Sequence, residues 1–228
     1  MKELLTKENT PNGFSRRRFL AFSGGLVGAT ALLSACHNEP DDYIAPTDGA
    51  VDLGSGDVGI LNYAYALEQL EAAFYTKVID SPYSGMSPDE KALLSDIRDH
   101  EIAHRNFFKA ALGKGAIQDL EVNFEKINFG DRGSVLATAK AFEDLGVSAY
   151  NGAGQLIVTP DYLVLAGKIV SVEARHAAYI RDLLSNGSFA DSSVIDANGL
   201  DKSRMPSEVL AIAGAYIKTK INANNLPK

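Results

Sequence analysis

The stretch Asp99-His100-Glu101-Ile102-Ala103-His104 falls in the middle of a long helical pattern. Glu101 and His104 are three residues apart, so on a helix a carboxylate and an imidazole project from one face and can hold one metal ion together. The pair returns as Glu173-Ala174-Arg175-His176. Each pair follows a glutamate on an earlier helical pattern, Glu68 33 residues before Glu101 and Glu143 30 residues before Glu173. The order Glu, Glu-x-x-His, Glu, Glu-x-x-His is that of a four-helix bundle holding two metals. Four carboxylates and two imidazoles suit first-row ions, iron or manganese. Without metal the carboxylates would repel one another in a low-dielectric core. Glutamates on solvated helix faces would explain one such pair, but not two with matched upstream glutamates.

Four neighbours complicate the site. Glu71 lies three residues past Glu68 and 30 before Glu101, an interval that matches Glu143 to Glu173. Tyr75 follows Glu68 by seven residues, as Tyr150 follows Glu143. That spacing favours Glu68 as the bridging ligand, with Glu71 as an extra ligand or a support. Tyr75 and Tyr150 are either plain core tyrosines or hydrogen-bond partners of the ligands. His100-Glu101-x-x-His104 also reads literally as H-E-x-x-H, the zinc metalloprotease helix. That reading lacks a third ligand and leaves Glu173, His176 and the half-to-half repeat unexplained.

Four helices must present these groups. The first runs from about Asp57 to Ile79, with Ile60, Ala64, Leu67, Glu68, Glu71 and Tyr75 at helical spacing. The second starts at Ser87 with Pro88 and Glu90, a capping box, and continues to Leu112 before Gly113-Lys114-Gly115. Residues 116–132 carry no heptad and form the long crossover between the halves. The third helix runs from about Ser134 to Ile157, with glycines at 146, 152 and 154 that suit close approach to a neighbour or a bend. The fourth begins at Thr159-Pro160 and reaches about Leu184, and a short fifth follows Pro206, about Ser207 to Ile221. The expected fold is all-α, a four-helix bundle with a long crossover over residues 57–186. A loop and a short C-terminal helix, residues 187–228, pack on it.

Residues 1–36 read as an address. Ser15-Arg16-Arg17-Arg18-Phe19-Leu20 precedes a glycine-interrupted apolar run that ends Leu33-Ser34-Ala35-Cys36. This is the layout of a twin-arginine export signal with a lipobox, which predicts cleavage before Cys36 and lipidation of its thiol. Residues 37–56, rich in Asp, Pro and Gly, then form a tether. Cys36 is the single cysteine of the 228-residue chain, so no disulfide framework can form within it. Removing the signal takes five basic and two acidic residues from totals of 22 and 29, leaving 17 and 27 and a formal charge of −10. Such a surface argues against nucleic acid or an anionic bilayer as partner. The membrane is met through lipid alone, in the cell envelope, and a homodimer is left open. The twin-arginine route carries proteins already folded, which favours a cofactor inserted beforehand.

The segments Leu61-Asn62-Tyr63-Ala64-Tyr65-Ala66-Leu67-Glu68-Gln69-Leu70-Glu71-Ala72-Ala73-Phe74-Tyr75 and Phe142-Glu143-Asp144-Leu145-Gly146-Val147-Ser148-Ala149-Tyr150 resemble ferritin-like domain proteins. That group includes desiccation-related proteins of plants and is related to ferritin, bacterioferritin and rubrerythrin. The resemblance covers about Val58 to Leu184. It implies a dinuclear centre at Glu68, Glu101, His104, Glu143, Glu173 and His176. It also implies that Fe²⁺ is oxidised, or peroxide removed, during stress. In many di-iron relatives an Asp precedes the Glu of each Glu-x-x-His and supports the opposite histidine. His100 and Val172 stand at those positions here. The alternative implied function is a non-catalytic desiccation- or stress-related envelope lipoprotein.

Overall fold

The computed structural model describes residues 49–228. The twin-arginine stretch, Cys36 and the tether up to residue 48 lie outside the described residues. Four long helices dominate: α1 (Gly56–Asp80), α2 (Pro88–Leu112), α3 (Arg132–Gly154) and α4 (Pro160–Leu184). Helices α1 and α2 form one antiparallel hairpin and α3 and α4 the other, and the hairpins meet chiefly through α1 and α3. Both central helices are buried over most of their turns. Their sequences are correspondingly apolar almost all round, as a helix inside a bundle must be. Among the described residues, no helix is long and apolar enough to cross a membrane.

Local chemistry sets the helix ends. The Ser87 side chain accepts the Glu90 N–H, and Glu90 reaches back to the Ser87 N–H, so α2 opens on the predicted capping box. The same Glu90 pairs with Arg132 at the start of α3, tying the two hairpins at that end. Helix α3 begins two residues earlier than expected because Asp131, not a later residue, supplies the cap and accepts the Ser134 N–H at 2.7 Å. Thr159 stands at the N-cap of α4, but its side chain makes no capping bond. Its backbone N–H and that of Val158 donate instead to the Asp57 carboxylate, both at 2.9 Å, which fastens the α3–α4 turn to the start of α1.

The crossover is irregular, as expected, and is held by two buried amides of α1. Asn62 donates to the carbonyls of Leu53 and Gly115 and accepts the Ile117 N–H. Gln69 accepts the Leu120 N–H at 2.7 Å. Satisfying these loop groups inside the domain is what allows a long connection to lie on the bundle.

Two expectations fail beyond the fourth helix. The fifth helix, α5 (Pro206–Ala213), ends well before Ile221. The chain turns extended instead. Ile217 bridges Val122 of the crossover, and β2 (Ile221–Asn222) pairs in parallel with β1 (Val51–Asp52). Part of the segment read as tether is therefore bound into the domain, with Leu53 fully buried behind it. The crossover and residues 51–53 offer backbone groups that the C-terminal segment pairs: Val51 and Leu53 donate to Lys220 and Asn222, and Asn123 donates to Tyr216. The β-branched Ile217, Thr219 and Ile221 satisfy them better extended than as further helix.

Gly152 marks a close approach. A Cβ there would lie 1.8 Å from the carbonyl oxygen of Arg204, in the loop that leads into α5. Gly152→Ala should therefore cost about 1–3 kcal/mol or more in denaturant unfolding. Gly167→Ala, on an open face of α4 with nothing within 4 Å, should add about 1 kcal/mol through helix propensity.

Candidate metal centre

Each of the four bundle helices contributes to one buried cluster. Glu68 comes from α1, Glu101 and His104 from α2, Glu143 from α3, and Glu173 and His176 from α4. All four glutamates are fully buried and His176 nearly so. Ligand atoms of Glu68, Glu101, His104 and Glu173 lie within 4.8 Å of one another, and so do those of Glu101, Glu143, Glu173 and His176. The six residues singled out by spacing are thus brought together.

The two halves match distance for distance. His104 Nδ1 lies 2.8 Å from Glu173, 3.5 Å from Glu68 and 3.8 Å from Glu101. His176 Nδ1 lies 2.8 Å from Glu101, 3.5 Å from Glu143 and 3.8 Å from Glu173. Each imidazole thus stands closest to the glutamate of the other Glu-x-x-His helix. Glu101 and Glu173 belong to both groups, whereas Glu68 and Glu143 each face only one. The spacing of Tyr75 favours Glu68 as the shared ligand, whereas Glu68 lies in only one of the two groups. Were two ions bound, the two Glu-x-x-His glutamates, Glu101 and Glu173, would be the residues placed to reach both.

Despite the short distances, Nδ1 of both histidines, both oxygens of Glu101 and Glu173, and one oxygen each of Glu68 and Glu143 have no hydrogen-bond partner. Buried polar atoms are rarely left so. Here the lone pairs converge on common points instead of on one another, as donor atoms around a cation do. The donor set of carboxylate and imidazole fits a first-row divalent metal.

The remaining carboxylate oxygens are held by the tyrosines. Tyr75 of α1 donates to Glu143 Oε1 of α3 at 2.5 Å, and Tyr150 of α3 donates to Glu68 Oε1 of α1. Both tyrosines are core residues and hydrogen-bond partners at once. Burial, and then the adjacent carboxylates, push both phenols well above their usual range, so each stays protonated as a donor.

The electrostatics show what a metal would replace. Burial alone disfavours the imidazolium form, but the surrounding glutamates outweigh it and raise His104 and His176 to about 12. Burial likewise opposes ionisation of Glu101, yet His104 and His176 hold it down at about 2. Burial raises Glu143 to about 8, with His176 only partly opposing it. In the absence of metal, protons on the imidazoles supply the positive charge that the glutamates demand. A divalent cation supplies it better, and its binding displaces those protons.

Glu71 joins neither group. Its carboxylate lies 3.1 Å from where a Cβ on Gly146 would be, so the glycine makes room for it beside the cluster. Burial, and then the charges of Glu101 and Glu173, push it well above the carboxylate range. His100 also stands outside both groups, so the two imidazoles that an H-E-x-x-H zinc site needs are not assembled, and that reading is corrected. Instead the exposed His100 ring stacks on His176, with Nδ1 2.9 Å from His176 Nε2. If Nδ1 of His176 binds metal, its Nε2–H donates to His100 Nδ1. With metal bound, His100 would thereby support His176 from the position directly before Glu101. Val172 stands at the matching place for His104 and offers no such group.

Sequence reasoning did not single out Arg181. It is a fully buried guanidinium that pairs with Asp144, beside Glu143, and with Asp191 of the following loop. Its only sequence signal is a charged residue on the apolar side of the fourth helix.

A ferritin-like domain family matches residues 56–186, more than half of the chain. The chain belongs to that family. Among curated proteins, none matches it.

The support at His176 without a counterpart at His104 predicts two unequal ions. His100→Ala should weaken the ion held by His176 about 10- to 100-fold and leave the other unchanged. Chelator competition would then release one of the two ions early.

Proposed function

We propose that this chain is a dimetal carboxylate protein that oxidises Fe²⁺ with O₂ or peroxide, or removes peroxide, under stress. The observation that carries it is the set of eight unpartnered, buried ligand atoms arranged as two matched groups sharing Glu101 and Glu173. Iron or manganese bound there would supply the redox electrons and a place for the oxidant between the two ions. The protein's own part is fourfold. Glu101 and Glu173 would hold the ions together, and Glu68 and Glu143 would each complete one ion. Tyr75 and Tyr150 fix the free oxygens of those last two glutamates. His100 orients His176.

Export and anchoring complete the proposal. The stretch from Ser15 to Leu20 and the Leu33-Ser34-Ala35-Cys36 sequence support a twin-arginine lipoprotein held in the cell envelope through lipid at Cys36. A second reading, a non-catalytic envelope lipoprotein of desiccation or stress, draws support from one feature. The Val172 position leaves His104 without the supporting carboxylate of many di-iron relatives.

Metal content and activity together separate the two, since the non-catalytic protein is either metal-stabilised or metal-free. The full chain, isolated after folding in the cytoplasm, should carry about two iron or manganese ions by elemental analysis and consume peroxide or Fe²⁺. Glu101→Ala/His176→Ala, with its helix content intact, should carry neither metal nor activity. A stable wild-type protein that takes up no metal after anaerobic addition of Fe²⁺ would overturn the enzymatic reading.

A further inference from the structure

A cavity lies between the α3–α4 hairpin and the loop that follows α4. It measures about 180 Å³. An apolar protein cavity of about 150 Å³ already takes up a benzene-sized molecule. Ala174, Ala177 and Ala178 of α4 leave the room, and Val147, Val194 and Ile195 complete an apolar wall. Phe189 and Asp201 line it as well, and both are exposed, so they mark its mouth.

The buried Arg181 holds the loop against α4 and so keeps the cavity formed. Its Nε donates to the Ser188 carbonyl, Nη1 to Asp144 Oδ2, and Nη2 to Asp191 Oδ1 and Ser193 Oγ. Four of the five guanidinium N–H groups are thereby engaged. The acceptors around it are not. Asp144 Oδ1 is buried without a partner. Arg181 spends its ion pairs on Asp144 and Asp191, and Asp201 forms none among the described residues. Partial burial, joined by the charge of Asp144, holds the Asp201 carboxyl above its ordinary value, although the Lys202 N–H and Arg181 oppose this. One guanidinium thus faces the carboxylates of Asp144, Asp191 and Asp201, and what the site lacks is a second cation.

We propose that this cavity binds a small organic ammonium, a primary amine on an apolar body of about four to six carbons. The charged nitrogen stands at the mouth, between the Asp201 carboxylate and the Phe189 ring, and the body fills the space among the alanines. An anionic head would meet a guanidinium whose donors are already committed, beside unmatched carboxylates. A neutral alcohol would fill the same space and leave Asp201 without a cation. This binding goes beyond the dimetal reading above and does not rest on it.

Calorimetric titration of the full chain near neutral pH with hexylammonium, 1-hexanol and hexanoate tests it. One saturable site is expected for hexylammonium, with 1-hexanol about tenfold weaker and hexanoate not bound. Asp201→Asn, at an exposed position, should weaken hexylammonium about tenfold and leave 1-hexanol unchanged, a difference that a folding defect would not produce. Ala178→Leu fills the cavity from α4 and should weaken both probes about tenfold with helix content intact. An ammonium drawn instead to the buried glutamates of the metal centre would respond to neither substitution. That result, no saturable binding of hexylammonium, equal binding of 1-hexanol, or undiminished binding by Asp201→Asn would each overturn the proposal.

Discussion

Four fully buried glutamates in one cluster are the constraint that the rest of the bundle answers. Carboxylates are almost never buried so deeply unless paired or metal-bound, because the low-dielectric interior both desolvates them and strengthens their mutual repulsion. The protein meets this with two imidazoles, each nearest the glutamate of the opposite helix, and with two tyrosine hydroxyls donated across the α1–α3 contact. The arrangement still leaves ligand atoms unpaired, and they point inward together. An interior built for its own stability would have used apolar residues. This one gathers carboxylates and imidazoles that could hold a metal ion.

The scaffold follows from that requirement. Helices α1 and α3 must come close enough for Tyr75 to reach Glu143 and Tyr150 to reach Glu68, and small residues let them do so. Gly146 leaves space for Glu71, and Gly152 lets the segment before α5 lie directly on α3. The hairpins are then locked together by Glu90 with Arg132 and by Asp57 on the α3–α4 turn, while Arg181 with Asp144 ties α4 to α3 within one hairpin. Each lock joins sequence-distant elements at an end or flank of the bundle, which leaves the middle of the helices for the ligands.

Features that depend on local spacing were legible in the sequence. The i, i+3 pairs Glu101/His104 and Glu173/His176, the seven-residue steps from Glu68 to Tyr75 and from Glu143 to Tyr150, and the Ser87 cap each lie within one helix. Features that depend on how helices are rotated against one another were not. Which glutamates face both groups is decided by the facing of α2 and α4, so the spacing of Tyr75 pointed to Glu68 whereas Glu101 and Glu173 lie in both. His100 reads as half of an H-E-x-x-H motif until α4 places His176 against its ring. The β1–β2 clasp escaped for a similar reason, since Val51 and Ile221 lie at opposite ends of the domain and pair only once the bundle exists.

Anomalous X-ray diffraction from crystals of the manganese- or iron-loaded protein tests the central claim most directly. Two peaks about 3.5–4 Å apart are expected. One would lie among Glu68, Glu101, His104 and Glu173, and the other among Glu101, Glu143, Glu173 and His176. A single peak, a peak coordinated by His100, or no metal within the bundle would contradict it.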